Sequence, residues 1–180
     1  MKQLNIGIIL GSTRQGRVSP QVGNWVKEIA DGRGDANYEI VDIASFQLPF
    51  VGEGTGNEPG LIAWPEKLSS LDGFVFIVPE YNHSITGALK NALDSARDEW
   101  GNKAAGIVSY GSTGGARAAE HLRGILGELL VADVRAHPTL SMFTDFENYK
   151  TLMPAERHIK KVNAMLDELI AWSGALKTLR

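Results

Sequence analysis

Short apolar runs alternate along the chain with longer segments of helical periodicity. A run such as Phe74–Val78 is apolar throughout, which is typical of a strand in a parallel sheet that is covered on both faces. The predicted strands are Leu4–Leu10, Tyr38–Ile43, Phe74–Val78, Ala104–Ser109 and a weaker one near Val131–Leu140. The predicted helices are Val18–Ala30, Trp64–Leu71, Ile85–Glu99, Gly115–Val131 and Pro154–Leu176.

This alternation predicts an α/β fold, a doubly wound sandwich with right-handed crossovers. No repeat, low-complexity segment or linker interrupts it, so residues 1–180 are expected to form a single domain. The segment Leu48–Gly60 contains two prolines and four glycines and is predicted to be a surface loop. It is either a plain connection or a rim near a partner subunit; loops of this length are only sometimes functional, which favours the first.

The composition of the chain excludes several classes of function. The net charge of −3 gives no basic surface for nucleic acid. The chain has no cysteine, so disulfides, thiol catalysis and thiolate metal sites are excluded, and no histidine–carboxylate pattern predicts another metal site. The apolar stretches are too short for a signal peptide core or a membrane span, so we expect a cytoplasmic protein.

Three loops that follow predicted strands are rich in glycine, hydroxyls and amides: Gly11–Arg17, Pro79–Ser84 and Ser109–Gly115. In an open parallel sheet, ligands bind outside the carboxyl ends of the strands. All three loops are therefore expected at one edge, where they would act together.

The first of these loops predicts an anion site. It combines Ser12, Thr13, Arg14 and Arg17 with the start of a helix, and both helix N-termini and arginine forks suit phosphate oxygens. The loop lacks the Lys-Ser/Thr ending of a P-loop and the pattern G-x-G-x-x-G, which disfavours ATP hydrolysis and Rossmann-type dinucleotide binding. The alternative is a glycine turn with surface arginines and a helix cap.

The other two loops are suited to a flat ligand but are also compatible with plain turns. Pro79, Tyr81 and Asn82 would lay backbone and an aromatic ring beside it, while Ser84 or Thr86 caps the next helix. Glu80 has no neighbouring partner in sequence that marks it as a general base. The glycines of the third loop permit close backbone approach, and the charges after it, such as Arg117, suit a solvated or subunit-facing surface.

The motifs Gly11–Arg17, Pro79–Asn82 and Gly114–Arg117, in this order and spacing, resemble those of the NADPH-dependent FMN reductase family, the flavodoxin-like quinone, azo and chromate reductases. The helix Gly87–Asp94 is similar as well. The likeness extends to about His121. It implies a flavodoxin-like three-layer fold with a five-stranded parallel sheet in the order 2-1-3-4-5, and one FMN at its carboxyl edge.

Carried over by position, the resemblance implies a division of the cofactor among the three loops. Ser12, Arg14 and Arg17 would hold the phosphate, with Thr13 and Ser19 near it; many members have a serine where this chain has Arg17. The ring-binding residues it implies are Pro79, Glu80, Tyr81 and Asn82 along the isoalloxazine, largely through backbone, and Ser109, Gly111 and Ser112 at its pyrimidine edge.

The resemblance also implies the reaction. NADPH or NADH would deliver hydride to N5 of FMN, and a quinone, azo, flavin or similar small acceptor would then use the same site in a ping-pong mechanism without a catalytic side chain. A homodimer or homotetramer is expected, with Trp100, Tyr110 and the loop Leu48–Gly60 as candidate subunit contacts. The alternatives are a flavodoxin-type electron carrier, disfavoured by Arg14, Arg17 and the low net charge, and a flavin-free enzyme on the same fold.

Overall fold

The computed structural model describes residues 3–180. Their main sheet has six strands. Its strands are β1 (Leu4–Leu10), β2 (Ala36–Asp42), β3 (Gly73–Pro79), β4 (Lys103–Gly111), β5 (Val131–Asp133) and β6 (Thr139–Ser141). The order β2-β1-β3-β4-β5 confirms the predicted topology, and β6 also pairs with β4. Every pairing in this sheet is parallel, so the carboxyl ends of the strands lie at one edge.

Five helices cover the sheet: α1 (Ser19–Asp31), α2 (Pro59–Ser69), α3 (Gly87–Asp94), α4 (Ala116–Glu128) and α5 (Arg157–Leu176). Buried side chains form two apolar clusters. One contains residues of α1 and α5, including Val22 and Leu166, and the other contains residues of α2, α3 and α4, including Leu68 and Leu122. The central strands β3 and β4 are buried along their whole length because each face of the sheet packs on one of these layers.

The fifth predicted strand is divided into two short strands, which corrects the expectation of one weak run. β5 pairs with the start of β4 and β6 with its end, while residues 135–137 leave the sheet between them. Pro138 has no backbone N–H to donate, and it stands at the end of this departure. After β6, the pair β7 (Phe146–Glu147) and β8 (Thr151–Leu152) forms a small antiparallel hairpin that the apolar pattern did not predict.

The third helix is shorter than predicted because the chain turns to bury a tryptophan. α3 ends at Asp94, where the Ser95 hydroxyl donates to the Asn91 carbonyl at 2.7 Å. The turn then inserts Trp100, fully buried, among Phe74, Phe76 and Trp64. Trp100 is thus a core residue and not a subunit contact. None of the helices in residues 3–180 is long and apolar enough to cross a membrane.

Candidate active site

The first loop follows β1 and is held at its start by the neighbouring strand and helix. The Gly11 N–H donates to the Ile77 carbonyl at 2.9 Å, and the Thr86 hydroxyl donates to the Gly11 carbonyl at 2.7 Å. Residues 14–17 then form a turn, in which Gly16 has φ of +69°. That backbone conformation favours glycine, which explains why a glycine occupies this position of the turn.

This loop offers hydrogen-bond donors that the described chain does not use. In residues 3–180 the backbone N–H groups of Ser12, Thr13, Gln15 and Gly16 have no hydrogen-bond acceptor. The Thr13 and Arg14 side chains are exposed, whereas Ser12 is buried with its hydroxyl 3.4 Å from the Arg14 N–H. A run of free N–H groups ahead of α1 is suited to an anion.

Arg17 is already partly engaged. Its Nη2 lies 2.5 Å from Oδ2 of Asp42, the last residue of β2, while its Nε is buried without a partner in the described chain. Asp42 also accepts a hydrogen bond from the Ala44 N–H at 3.0 Å. Arg17 is therefore held beside the loop by one nitrogen of its guanidinium, and further donors, among them Nε, remain for a ligand.

The second loop is a tight reverse turn at the end of β3. Tyr81 and Ser84 exchange backbone hydrogen bonds of 2.9 and 3.0 Å across Asn82 and His83, which have φ of 48° and 68°. The Pro79 side chain is buried in the strand, whereas Asn82 and Tyr81 are exposed, Tyr81 to 42%. As predicted, Thr86 caps the next helix, accepting from the Leu89 N–H at 3.0 Å.

The third loop packs tightly because two glycines turn the chain beneath it. Gly114 and Gly115 have φ of 76° and 75°, and a Cβ on Gly115 would lie 2.8 Å from both Cβ of Ser109 and the backbone N of Tyr110. Gly111 is buried and Ser112 exposed at the turn. The backbone N–H groups of Ser112 and Thr113 have no acceptor within residues 3–180.

Glu80 joins the second loop to the third and is not free to act as a base. Its side chain is 4% exposed, and it accepts from the Arg117 Nε at 2.7 Å and from the backbone N–H groups of Arg117 and Ala118 at 3.1 and 3.3 Å. Burial raises the pKa of Glu80, but these hydrogen bonds and the charge of Arg117 outweigh it and lower the pKa below its usual value. The carboxylate thus stays ionised at the start of α4.

Three further hydroxyls at this edge are directed into the protein. Ser19 is fully buried and shares a 2.7 Å hydrogen bond with the Tyr110 hydroxyl. Burial raises the pKa of Tyr110 to about 12, so this phenol keeps its proton at neutral pH. Ser109 is fully buried, and its hydroxyl donates to the Gly114 carbonyl at 2.6 Å. The Ser109 side chain therefore supports the third loop from below and does not face the edge, and Tyr110, like Trp100, is not exposed for a subunit contact.

The structure thus brings the three loops together as expected, since β1, β3 and β4 are neighbours. Sequence reasoning missed Asp42, and it interpreted Arg117 only as a solvated or subunit-facing charge, although both residues organise these loops. Arg117 also contacts one further residue in each of the second and third loops. Its Nη1 lies 2.8 Å from Nε2 of His83 in the second loop, and its Nη2 lies 2.9 Å from the Thr113 hydroxyl in the third. The sequence did contain a signal for the pairing of Arg117 with Glu80: the two residues have opposite charges and follow strands that are adjacent in the predicted sheet.

The fold and this edge define a flavodoxin-like α/β protein with an anion loop next to two loops suited to a flat ring. The family model for NADPH-dependent FMN reductase matches residues 4–145, and the chain belongs to that family. It is an oxidoreductase, and FMN and NAD(P)H are the cofactors of its family's reaction.

Relatives support this assignment. An NAD(P)H-dependent FMN reductase of Schizosaccharomyces pombe is 35% identical over 145 residues, covering 76% of this chain and 71% of that protein. An NAD(P)H:quinone oxidoreductase of Solanum tuberosum is 39% identical over 131 residues, covering 68% and 66%. A quinone reductase of Escherichia coli is 33% identical over 133 residues, covering 69% and 70%.

A solved structure shows the same fold. The flavoenzyme NAD(P)H:(acceptor) oxidoreductase of Paracoccus denitrificans superposes with a TM-score of 0.77 at 20% identity, covering 96% of this chain and 98% of that one. The residues at the carboxyl edge fit FMN: free N–H groups and the orphaned Nε of Arg17 suit its phosphate, and the N–H groups of Ser112 and Thr113 suit a ring with acceptor atoms.

Proposed function

We propose that this protein transfers hydride from NAD(P)H to small quinone-type acceptors through FMN held at the carboxyl edge of the sheet. Both substrates use one site in turn, which is a ping-pong mechanism. The observation that carries the proposal is the free donor set at Ser12–Arg17, placed beside two loops that present backbone and an exposed aromatic side chain.

We assign the phosphate to the N–H groups of the first loop together with Arg14 and Arg17. Thr13 lies next to it, while Ser12 and Ser19 shape the loop from inside. The ring lies along Pro79–Asn82 and Gly111–Ser112. Ser109 acts on this edge through its bond to Gly114 rather than by direct contact.

Bound FMN supplies hydride acceptance and donation at N5. The chain contributes orientation and electrostatics. The N–H groups of Ser112 and Thr113 stabilise negative charge at the pyrimidine edge, in the way that preorganised donors act elsewhere. Glu80 neither gives nor takes a proton, because its lowered pKa and its bonds to Arg117 keep it ionised and occupied.

Anaerobic titration tests this function. The purified protein should be yellow, NADPH or NADH should bleach it without an acceptor, and a benzoquinone should restore the colour. When the NADPH concentration is varied at several fixed quinone concentrations, double-reciprocal plots of the initial rate should give parallel lines. A colourless protein that takes up no FMN would contradict the proposal, and a yellow protein that neither nucleotide bleaches would indicate an electron carrier instead.

The acceptor class rests on the relatives that are named quinone reductases. An edge built from backbone and one exposed tyrosine selects for flatness more than for particular substituents, so azo dyes and free flavin are further expected acceptors. A comparison of kcat/KM across the three classes tests this ranking; a quinone value no higher than the others would remove quinones as the preferred class.

We further propose a homodimer or homotetramer. Trp100 and Tyr110 are buried in their own chain, so the contact falls to other residues. The loop 47–58 offers Phe50 and Val51, which are 63% and 61% exposed. Asn91 fixes this loop by bonds to the Pro49 carbonyl and the Val51 N–H at 2.8 and 3.0 Å. Light scattering on the wild type and on Phe50→Ser tests the assignment; a monomeric wild type would exclude it.

A further inference from the structure

A chain of hydrogen bonds lies beneath the third loop and involves a half-buried histidine from the segment between β5 and β6. The Nε2 atom of His137 is 2.8 Å from the Ser109 hydroxyl oxygen, which is in turn 2.6 Å from the Gly114 carbonyl oxygen. We infer that His137 is a positioning residue for flavin binding: acting through Ser109, it fixes the orientation of the third loop. The inference rests on the proposed place of the ring at this loop.

The direction of the hydrogen bonds follows from what each group can do. A carbonyl oxygen only accepts, so the single hydroxyl hydrogen of Ser109 points to Gly114. The hydroxyl oxygen must then accept from His137, which places a proton on Nε2. The loop is thus held by a donor that reaches it from outside its own strand.

The third loop needs such a support because glycine does not hold itself in place. Gly114 and Gly115 have no side chains to pack, and both adopt positive φ. On its other side the loop is fixed by the Met142 N–H, which donates to the Gly111 carbonyl at 2.9 Å. Ser112 and Thr113 lie between these two supports, and their N–H groups are the donors assigned to the ring.

Loss of the histidine donor should therefore change the bound flavin and not only the fold. Without it, Ser109 keeps one bond but can rotate, and the Gly114 carbonyl loses its fixed direction. The Ser112 and Thr113 donors would then be less well ordered toward the pyrimidine edge. Because these donors stabilise negative charge that is larger on reduced flavin, the reduced form should lose more than the oxidised form.

The test compares His137→Leu with His137→Gln, whose amide N–H can take the place of Nε2–H. For each holoprotein, the FMN dissociation constant and the two-electron reduction potential of bound FMN are measured. We expect His137→Leu to weaken FMN binding by about 5- to 50-fold and to make the potential more negative. His137→Gln should recover most of both values. Arg135→Gln, an exposed change two residues away, is the control and should match the wild type.

Two results would overturn the inference: wild-type affinity and potential in His137→Leu, or no recovery in His137→Gln when both variants are folded by circular dichroism. Should His137→Leu not fold, Ser109→Ala removes the bond from His137, together with the bond to Gly114, for the loss of one atom and carries the same expectation. A wild-type protein without FMN would instead contradict the proposed function itself, so the two failures are distinguishable.

Discussion

The two arginines of the first loop differ in what they give up on binding a phosphate. Arg14 is exposed, whereas Arg17 is already paired with Asp42. We expect Arg14→Ala to weaken FMN binding by about 1.5–3 kcal/mol, or roughly 10- to 150-fold, the range for a hydrogen bond to a charged group. Arg17→Ala should cost more, because it also leaves the Asp42 carboxylate unpaired beside the phosphate. Calorimetric titration of the apoproteins with FMN measures both.

The matched control for these variants is Arg97→Ala, which removes an exposed arginine after α3, at the opposite edge of the sheet. It should leave the dissociation constant unchanged. An unchanged FMN affinity in Arg14→Ala would remove Arg14 from the phosphate site, and equal losses in all three variants would point to a general effect of charge.

A variant of Glu80 can show whether this carboxylate has a structural or a catalytic role. Glu80→Gln removes the charge that Arg117 faces but keeps the shape of the side chain, so the free energy of unfolding should fall by about 1–3 kcal/mol. Turnover of the FMN-loaded enzyme should change less than tenfold, whereas loss of a general base costs about 10²- to 10⁴-fold. Urea unfolding and single-turnover reduction by NADPH provide the two measurements. A hundredfold slower reduction in a stable variant would make Glu80 catalytic.

At the level of elements, α3 is tied to the first loop by a single hydroxyl. Thr86 accepts from the Leu89 N–H at the start of the helix and donates to the Gly11 carbonyl. Thr86→Val keeps the shape but removes both bonds, so we expect a loss of about 1–2 kcal/mol in unfolding free energy and a weaker FMN complex. Thr86→Ser should restore both. Equal stability of the valine and serine variants would show that the cap contributes nothing.

The elements also show how far sequence reasoning reaches. The strands β1, β3 and β4 were predictable because their apolar runs are continuous, and the three loops followed from the strand ends. The directions of side chains within those loops were not predictable. Ser109 and Glu80 belong to polar segments of the sequence, yet both side chains point inward. The Ser109 hydroxyl bonds the Gly114 carbonyl, and the Glu80 carboxylate accepts from N–H groups at the start of α4. Such partners lie 5 and 37 residues away, and only the fold brings them together.

The end of α3 could not be predicted from the sequence either. Helical periodicity continued past Asp94, but burial of Trp100 in the same apolar cluster as α3 determined where the helix stopped. The indole N–H donates to the Leu93 carbonyl at 3.1 Å, so the tryptophan satisfies the end of the helix that it shortens. Long-range packing of this kind leaves no local pattern in the sequence.

For the molecule as a whole, the charge of several buried or half-buried polar groups depends on pH. Burial lowers the pKa of His137 from 6.5 to about 4, with Arg123 and Lys161 acting in the same direction and Glu120 against it. Asp145, buried against His158 behind β6, also has a lowered pKa: burial raises it, but bonds from the Ser141 N–H and from His158 outweigh that effect.

These shifts predict a stepwise loss of stability in acid. Above pH 6.5, His137 is neutral in both states and contributes no pH dependence. As the pH falls from 6.5 toward 4, the unfolded chain binds a proton that the folded one does not, so the free energy of unfolding decreases by up to about 3 kcal/mol. From about pH 5 downward, Glu80 and then Asp145 are also protonated more readily in the unfolded chain, because the fold lowers the pKa of each carboxyl group, and the decrease continues.

Urea midpoints measured from pH 8 to pH 4 separate these contributions. His137→Gln has no proton to gain, so its stability should fall less than that of the wild type between pH 6.5 and 4, and the two curves should approach each other or cross in that range. If the variant and the wild type lost stability equally between pH 6.5 and 4, His137 would not be the titrating group.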